Sequence, residues 1–471
     1  MKVLHISSEL APYTMGRVGE TVGALSGALR DRGQDVMCVL PDYAGIRRVG
    51  EVHVQMGDRE VAGQIQVTPP RSDPHVRFVR NDHYYGRPEL YGYDDEAERF
   101  IFLSQAALAA CRSTGFRPDV IHCHDWQTGL TEALRRAHFA GDPMVRGAAM
   151  VFTIHNLAHQ GCFGAWALEL ARLPAEMFEP GMLEFYGQVS FVKAGIVTAD
   201  AITTVSPTYA REIQTEEFGE NMHGVLADRS DVLYGILSGL DPDLYDPATD
   251  SVLDSPFSRE DLEPRTENVR GLCVESGLDP DDPAPIGAFA GRLTAQAGVG
   301  LVVSAARQVV GAGMRLLVSG RGDRQYERAL ERLASEHPGQ VAYVPGLDDR
   351  LERRICAGSH FFLRPAAHQP CGRTHMVAMR YGAIPIVRPR GGLADSVTPC
   401  MGDRGDGFVI ESHTEASLIS CVRRAVALHA DPTAYRAVQR RAMARDFSWT
   451  AVADDYISVY DRALAQKRGG Q

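Results

Sequence analysis

Short runs of β-branched and aliphatic residues alternate along this chain with segments whose apolar positions recur at helical spacing, the pattern of a parallel sheet wrapped by helices. One series predicts buried strands at Val3–Ser7, Asp35–Leu40, Val120–Cys123, Met150–Ile154 and Ala201–Val205. Several of these end in Ser, His or Thr where the next loop begins, and ligands bind outside the carboxyl ends of such strands. A second series follows the Pro- and Asp-rich stretch Leu278–Pro285 and predicts strands at Ile286–Ala290, Arg315–Ser319, Val341–Val344, Phe361–Leu363 and Ile384–Val387. Between the two series Pro242 and Pro247 punctuate a polar loop, which puts the join near Gly239–Asp250. Beyond Phe447, Trp449–Leu464 has helical spacing and reads as a closing helix that packs back across the lobes. No repeat of 20–50 residues is present. The pattern predicts an α/β chain of two doubly wound lobes, residues 1–241 and 242–448, with a C-terminal helix in 449–471 and a cleft between the lobes as the expected site.

Composition fits that division. At 471 residues the chain is too long for one ordinary core, and 44% hydrophobic with 23% charged residues is the make-up of a folded globular protein. A formal charge of -11 repels nucleic acid and anionic lipid, so neither is expected as a partner. No apolar stretch approaches the roughly 20 residues of a membrane span, and the N-terminal apolar run is shorter than a secretory signal needs. The expected location is the cytoplasm. The nine cysteines are scattered without a CxxC pair, which argues against a disulfide framework or a zinc cluster.

Common chemical motifs are missing. Gly320-Arg-Gly322 lacks the third glycine of a dinucleotide fingerprint, and there is no Walker A string, HExxH or G-x-S-x-G. His122-Cys-His124-Asp125 crowds potential metal ligands at a strand end, but adjacent residues on a strand face opposite ways and no distant pair of ligand spacing completes the set, so no metal is expected.

A series of strings carries more. Lys2–Pro12 with Val22–Leu25, Arg87-Pro-Glu-Leu-Tyr-Gly92, Glu96–Phe100, His122-Cys-His-Asp-Trp-Gln127 and Thr153-Ile-His-Asn-Leu157 with Gln160-Gly161 stand in the first half. Thr204–Tyr209, Glu212–Thr215, Gly235–Asp241, Asp246–Asp250, Gly291-Arg-Leu-Thr294, Pro370-Cys-Gly372, Arg380-Tyr-Gly382 and Gly391–Asp395 follow in order. The chain closely resembles the bacterial glycogen (starch) synthase family from residue 1 to beyond Ser448. That resemblance implies two facing Rossmann-like lobes of the GT-B type, the first on the glucan-acceptor side and the second on the nucleotide-sugar side. It also implies ADP-glucose as donor, an α-1,4-glucan such as glycogen as acceptor, retention of anomeric configuration, no cofactor, and no metal at the diphosphate.

The resemblance also assigns residues. Arg292 matches the Arg of an R-L-T-x-Q-K-G pattern that holds the diphosphate, but Ala297 stands where that pattern has Lys. Gln369 replaces the Glu of F-E-P-C-G that faces the sugar, Ala366 and Ala367 replace a Ser and an Arg, and Arg373 takes an apolar position. The glycine-rich turn, K-T-G-G-L in the family, reads Thr14-Met15-Gly16-Arg17-Val18, one residue shorter, with Met15 where the Lys would be. His155 and Asn156 are expected at sugar hydroxyls, Asp125 at the glucan-facing side, and Gly372, Thr374, Gly391 and Gly392 around the donor. A departing diphosphate without a metal needs protein cations. Family charges are lost at three separate motifs, and Arg17, Arg292, Arg364, Arg373 and Arg390 are the candidates to rebuild the positive charge. Three readings therefore stay open at this level: a working glucan synthase with an altered site, a non-catalytic relative that binds glucan or regulates its synthesis, and a retaining transferase with another donor or acceptor.

Overall fold

In this computed structural model, which describes residues 1–14, 16–43, 50–67 and 73–469, the chain forms two compact units, Met1–Gly239 with Trp449–Gln471, and Leu240–Ser448. The first contains β1 (Lys2–Ile6), β2 (Asp35–Pro41), β3 (Gly50–Met56), β4 (Arg59–Val67), β5 (Val76–Arg80), β6 (Val120–His124) and β7 (Ala149–Ile154). A small antiparallel sheet follows, made of β8 (Cys162–Phe163), β9 (Glu184–Phe185) and β10 (Gln188–Ser190), and then β11 (Ala201–Thr204) and β12 (Leu233–Gly235). The main sheet of this unit has nine strands in the order β12-β11-β7-β6-β1-β2-β5-β4-β3. All neighbours are parallel except β3 with β4 and β4 with β5.

The second unit contains β13 (Ile286–Ala290), β14 (Arg315–Gly320), β15 (Val341–Pro345), β16 (Phe361–Arg364), β17 (Ile384–Val387) and β18 (Phe408–Val409). They form a fully parallel six-stranded sheet in the order β15-β14-β13-β16-β17-β18. The near-continuous apolar strands, such as Ile286–Ala290 with every residue buried, follow from helices covering both faces of a parallel sheet.

In each unit the chain winds outward from its first strand in one direction and then restarts on that strand's other side. The loops after β1 and β6 therefore diverge, as do the loops after β13 and β16, and a crevice opens at each such switch point.

Every strand of the two predicted series is found, within a residue or two at its ends. The antiparallel β3–β4 pair was not read from the sequence. The helix expected at Trp449–Leu464 runs from Trp449 to Gly469, and Trp449, Ala453, Tyr456, Val459, Tyr460 and Ala463 pack into the core of the first unit with Val3, Val22, Leu25 and Val151. No helix among the described residues is long and apolar enough to cross a membrane.

Candidate functional site

At the switch point of the first unit, the loop after β1 folds over its own acidic side chain. The Glu9 carboxylate accepts a hydrogen bond from Tyr91 Oη at 2.5 Å and a long one from the Gly19 backbone N–H at 3.4 Å. Tyr91 Oη also shares a hydrogen bond with Ser8 Oγ at 2.9 Å. Glu9 is 6% exposed and its carboxylate sits against the start of the helix Arg17–Asp31, where the helix dipole favours negative charge. A Cβ on Gly16 would lie 1.5 Å from Glu9 Oε2, so this glycine is needed to admit the chain's own carboxylate. The sequence reading gave Gly16 to the donor instead. Arg17 is exposed at the first position of that helix. Met15 lies outside the described residues.

Asp125, directly after β6, has φ 56 and ψ -176, a backbone conformation normally left to glycine and costly for other residues. Two bonds hold it there. Its N–H donates to Thr153 O at 2.9 Å, and its Oδ1 accepts from the His155 N–H at 2.8 Å. Burial pushes the Asp125 carboxyl up to about 7, against the opposing pull of the His155 and Asn156 backbone N–H groups. Asp125 thus shapes the turn after β7 that presents the half-buried His155 and Asn156.

Behind that turn lie histidines from neighbouring strands. His5 on β1 pairs in register with His122 on β6, and His122 and His124, two residues apart, share a face of the sheet. The sequence offers no distant pair of ligand spacing to His122 and His124, and the sheet order adds one residue, His5, because β1 lies beside β6. The three are the candidate metal group among the described residues. Their ring nitrogens are largely taken. His122 bonds Tyr460 Oη at 2.8 Å and Thr153 Oγ1 at 2.6 Å, while His124 bonds His5 at 2.9 Å and His155 at 3.2 Å. A metal there would have to displace hydrogen bonds, so the donor set does not fit one.

In the second unit the crevice between β13 and β16 gathers the other site residues. The loop Arg292–Gly298 docks on the loop after β16, where the Ala367 N–H donates to Gln296 O at 2.9 Å. Arg292 is exposed, and no acid among the described residues pairs with it. Ala297 is 7% exposed and belongs to the core cluster. Arg364, 8% exposed at the end of β16, donates to Ala290 O at 3.2 Å and, from Nε and Nη2, to Gln369 Oε1 at 3.1 and 2.9 Å. Gln369 is therefore held by the Arg364 guanidinium.

Gly391 has φ +46, and a Cβ there would meet Gln369 O at 1.9 Å, so only glycine lets this turn close on the Gln369–Gly372 loop. The Gly392 N–H donates to Pro370 O at 2.9 Å and completes the join. Thr374 opens the helix Thr374–Arg380 beside Gly372. Next to it, His375 Nε2 bonds Ser396 Oγ at 2.5 Å, and burial lowers His375 to about 3. Arg373 turns away from this crevice. Its Nη2 lies 3.9 Å from both Asp349 and Glu352, and its guanidinium covers the Tyr245 ring, which makes it a poor stand-in for a missing phosphate cation.

Within the second unit, then, Arg292, Ala297, Gln369, Gly372, Thr374, Gly391 and Gly392 come together around one switch point. In the first unit Gly16, Asp125, His155 and Asn156 stand at neighbouring strand ends. Sequence reasoning gave no role to Glu9, Tyr91 or the His5–His124 pair, although all four residues lie inside strings it singled out.

Comparison with known proteins gives the family. A starch synthase catalytic domain family model matches residues 2–228, and a glycosyl transferases group 1 model matches residues 284–427. A glycogen synthase of Syntrophotalea carbinolica is 38% identical across 98% of this chain and 99% of its own length. A glycogen synthase of Anaeromyxobacter sp. is 40% identical across 99% of this chain and 100% of its own. The solved catalytic domain of starch synthase IV from Arabidopsis thaliana, bound to ADP and acarbose, has a TM-score of 0.88 and 30% identity, covering 98% of this chain and 99% of that one. The chain belongs to the bacterial glycogen synthase family, GT-B hexosyltransferases that move glucose from a nucleotide sugar to a glucan.

Proposed function

We propose that this chain transfers glucose from ADP-glucose to the non-reducing end of an α-1,4-glucan with retention of configuration, in the cytoplasm, without a metal or other cofactor. The observation that carries this is the exposed Arg292, unpaired with any described acid, at the switch point of the second unit, in a chain similar over nearly its whole length to glycogen synthases. In this reading Arg292 holds the donor diphosphate and stabilises the charge that grows on it as the glycosidic bond breaks. Thr374 and the Gly391–Gly392 turn line the donor side. Gln369, oriented by Arg364, hydrogen-bonds the sugar but gives its developing positive charge only a dipole in place of a carboxylate. His155 and Asn156 bind sugar hydroxyls on the acceptor-side unit, and Asp125 sets the turn that carries them.

Two of the expected cations, at Met15 and Ala297, are absent from the sequence. Arg17, exposed at the start of the first helix, is the replacement this reading favours on the first unit, and Arg364 already supplies fixed positive charge at Gln369. The test is to incubate the purified chain with ADP-glucose or UDP-glucose and a glucan primer, and to measure released nucleotide. Release from ADP-glucose that depends on the primer is expected. Release from UDP-glucose alone would reassign the donor, and no release from either would overturn the proposal.

A further inference from the structure

We propose that His5 and His124 are positioning residues that fix the tautomer of His155, so that its Nδ1 carries the hydrogen and donates to a hydroxyl oxygen of the sugar. The proposal rests on the reading of His155 as a sugar contact. Its basis is a chain of two ring-to-ring hydrogen bonds. His5 Nδ1 meets His124 Nε2 at 2.9 Å, and His124 Nδ1 meets His155 Nε2 at 3.2 Å. His5 and His124 are buried at 0% and 1% exposure, while His155 is half-buried at the strand end.

All three rings are neutral near pH 7. Burial, and then the nearby Arg30, lowers His5 to about 3; burial and neighbouring histidines hold His124 well below its ordinary value; and burial lowers His155 to about 4. A neutral imidazole has one N–H and one bare nitrogen, so one donor direction in the chain dictates the other. Only two arrangements exist. In the first, His5 Nδ1–H donates to His124, whose Nδ1–H donates to His155, leaving His155 Nδ1–H for the substrate. In the second, every bond reverses, and His5 Nε2 must carry a hydrogen.

His5 Nε2 decides between them, because it is buried and has no hydrogen-bond partner. An orphaned buried N–H is rarer than an under-satisfied buried acceptor, so the bare nitrogen belongs there and the chain runs outward from His5 to His155. The outward direction makes His155 a donor at Nδ1, which no described residue engages. Which nitrogen bears the hydrogen matters for a histidine that contacts substrate, as the large rate loss of a wrong-tautomer triad histidine shows in another enzyme.

The test uses two nearly isosteric changes in the full chain. Asn at position 5 can still donate from the place of Nδ1, whereas Asp, ionised at pH 8, can only accept and so reverses both bonds. Long-range ¹⁵N–¹H spectra of histidine-labelled protein, with the His155 signals assigned by difference against His155→Asn, are expected to show Nδ1–H at His155 in the parent and in His5→Asn, and Nε2–H in His5→Asp. With ADP-glucose and glycogen, kcat of His5→Asp is expected to fall about tenfold or more below that of His5→Asn, in the range that losing an orienting partner of a functional histidine costs, while KM for the donor changes less. Nε2–H at His155 in the parent overturns the proposal. So do an Asp and an Asn variant alike in tautomer and kcat, or one equivalent of a divalent metal that stays with the purified chain through chelation. If His5→Asp does not fold, the parent spectrum still decides. A parent that shows Nδ1–H but never transfers glucose counts against the proposed reaction and leaves the tautomer assignment standing.

Discussion

Restoring charge at two positions of the second unit is the most direct test of how its crevice works. In Gln369→Glu the side chain keeps its shape, so the new carboxylate takes the place of an oxygen that now accepts from Arg364 at 2.9 and 3.1 Å. At about 4 Å between charge centres and an effective dielectric near 20, the attraction is about 4 kcal/mol before the cost of desolvating the carboxylate. That attraction keeps the Glu ionised, but it also shares its charge with Arg364. A single preorganised group is worth about 10²–10³ in rate, roughly 3–4 kcal/mol, when all its field acts on the reacting centre. With Arg364 drawing off more than half of that, the carboxylate retains about 1.4 kcal/mol, a factor of about ten. Ala297→Lys adds the cation at the leaving diphosphate. Ala297 is buried, but its loop stands at the crevice, and a Lys stem can lie along apolar surface while its ammonium reaches water. The double variant is expected to release ADP from ADP-glucose at least about tenfold faster than the parent, with glycogen saturating, and to exceed the product of the single effects because the two charges act on opposite ends of one breaking bond. Thermal unfolding checks that the variants fold. A folded double variant no faster than the parent would refute the reasoning and mean that Arg17, Arg364 or another group already does this work.

Arg292→Ala is expected to weaken nucleotide-sugar binding by calorimetry more than any other single Arg change, by about tenfold or more, because charge-assisted contacts to phosphate are the strong ones. The same variant should still co-sediment with glycogen, since the neutral contacts of the first unit are untouched. Asp125, raised to about 7 by burial, is protonated more readily in the folded than in the unfolded chain, so its contribution to stability is present at low pH and is lost as pH rises from about 4 through 7. Asp125→Asn should remove a loss on the order of 4 kcal/mol across that window, read as the difference between parent and variant in urea unfolding. Trp449→Ala should cost about 3–5 kcal/mol of stability in the first unit, because Trp449 is 6% exposed in its core. An unchanged unfolding midpoint would remove the C-terminal helix from that core.

The alternation of apolar strands and amphipathic helices was enough to place both parallel sheets, because a strand buried on two faces must be apolar throughout and such runs are short and bounded. The ordered strings were enough for the family, and they named Arg292, Gln369, His155 and Asp125. The β3–β4 pair escaped because its stability comes from pairing across a hairpin, and its charged outer positions, such as Glu51, Arg59 and Glu60, do not stand out from loop composition. The arrangement around the site escaped for another reason. His5 lies 119 residues from His124 and Arg364 lies 74 from Ala290, and only the sheet order brings each pair into contact. The sequence by itself determined the ten strands of the two predicted series and what chemistry their ends carry. The tertiary structure decided that Glu9 fills the space at Gly16, that Arg364 grips Gln369, that Arg373 turns to Asp349 and Glu352, and that a line of histidines stands behind His155. These depend on distances between residues remote in the chain, and periodicity, which reports only which face of an element is buried, carries no information about them.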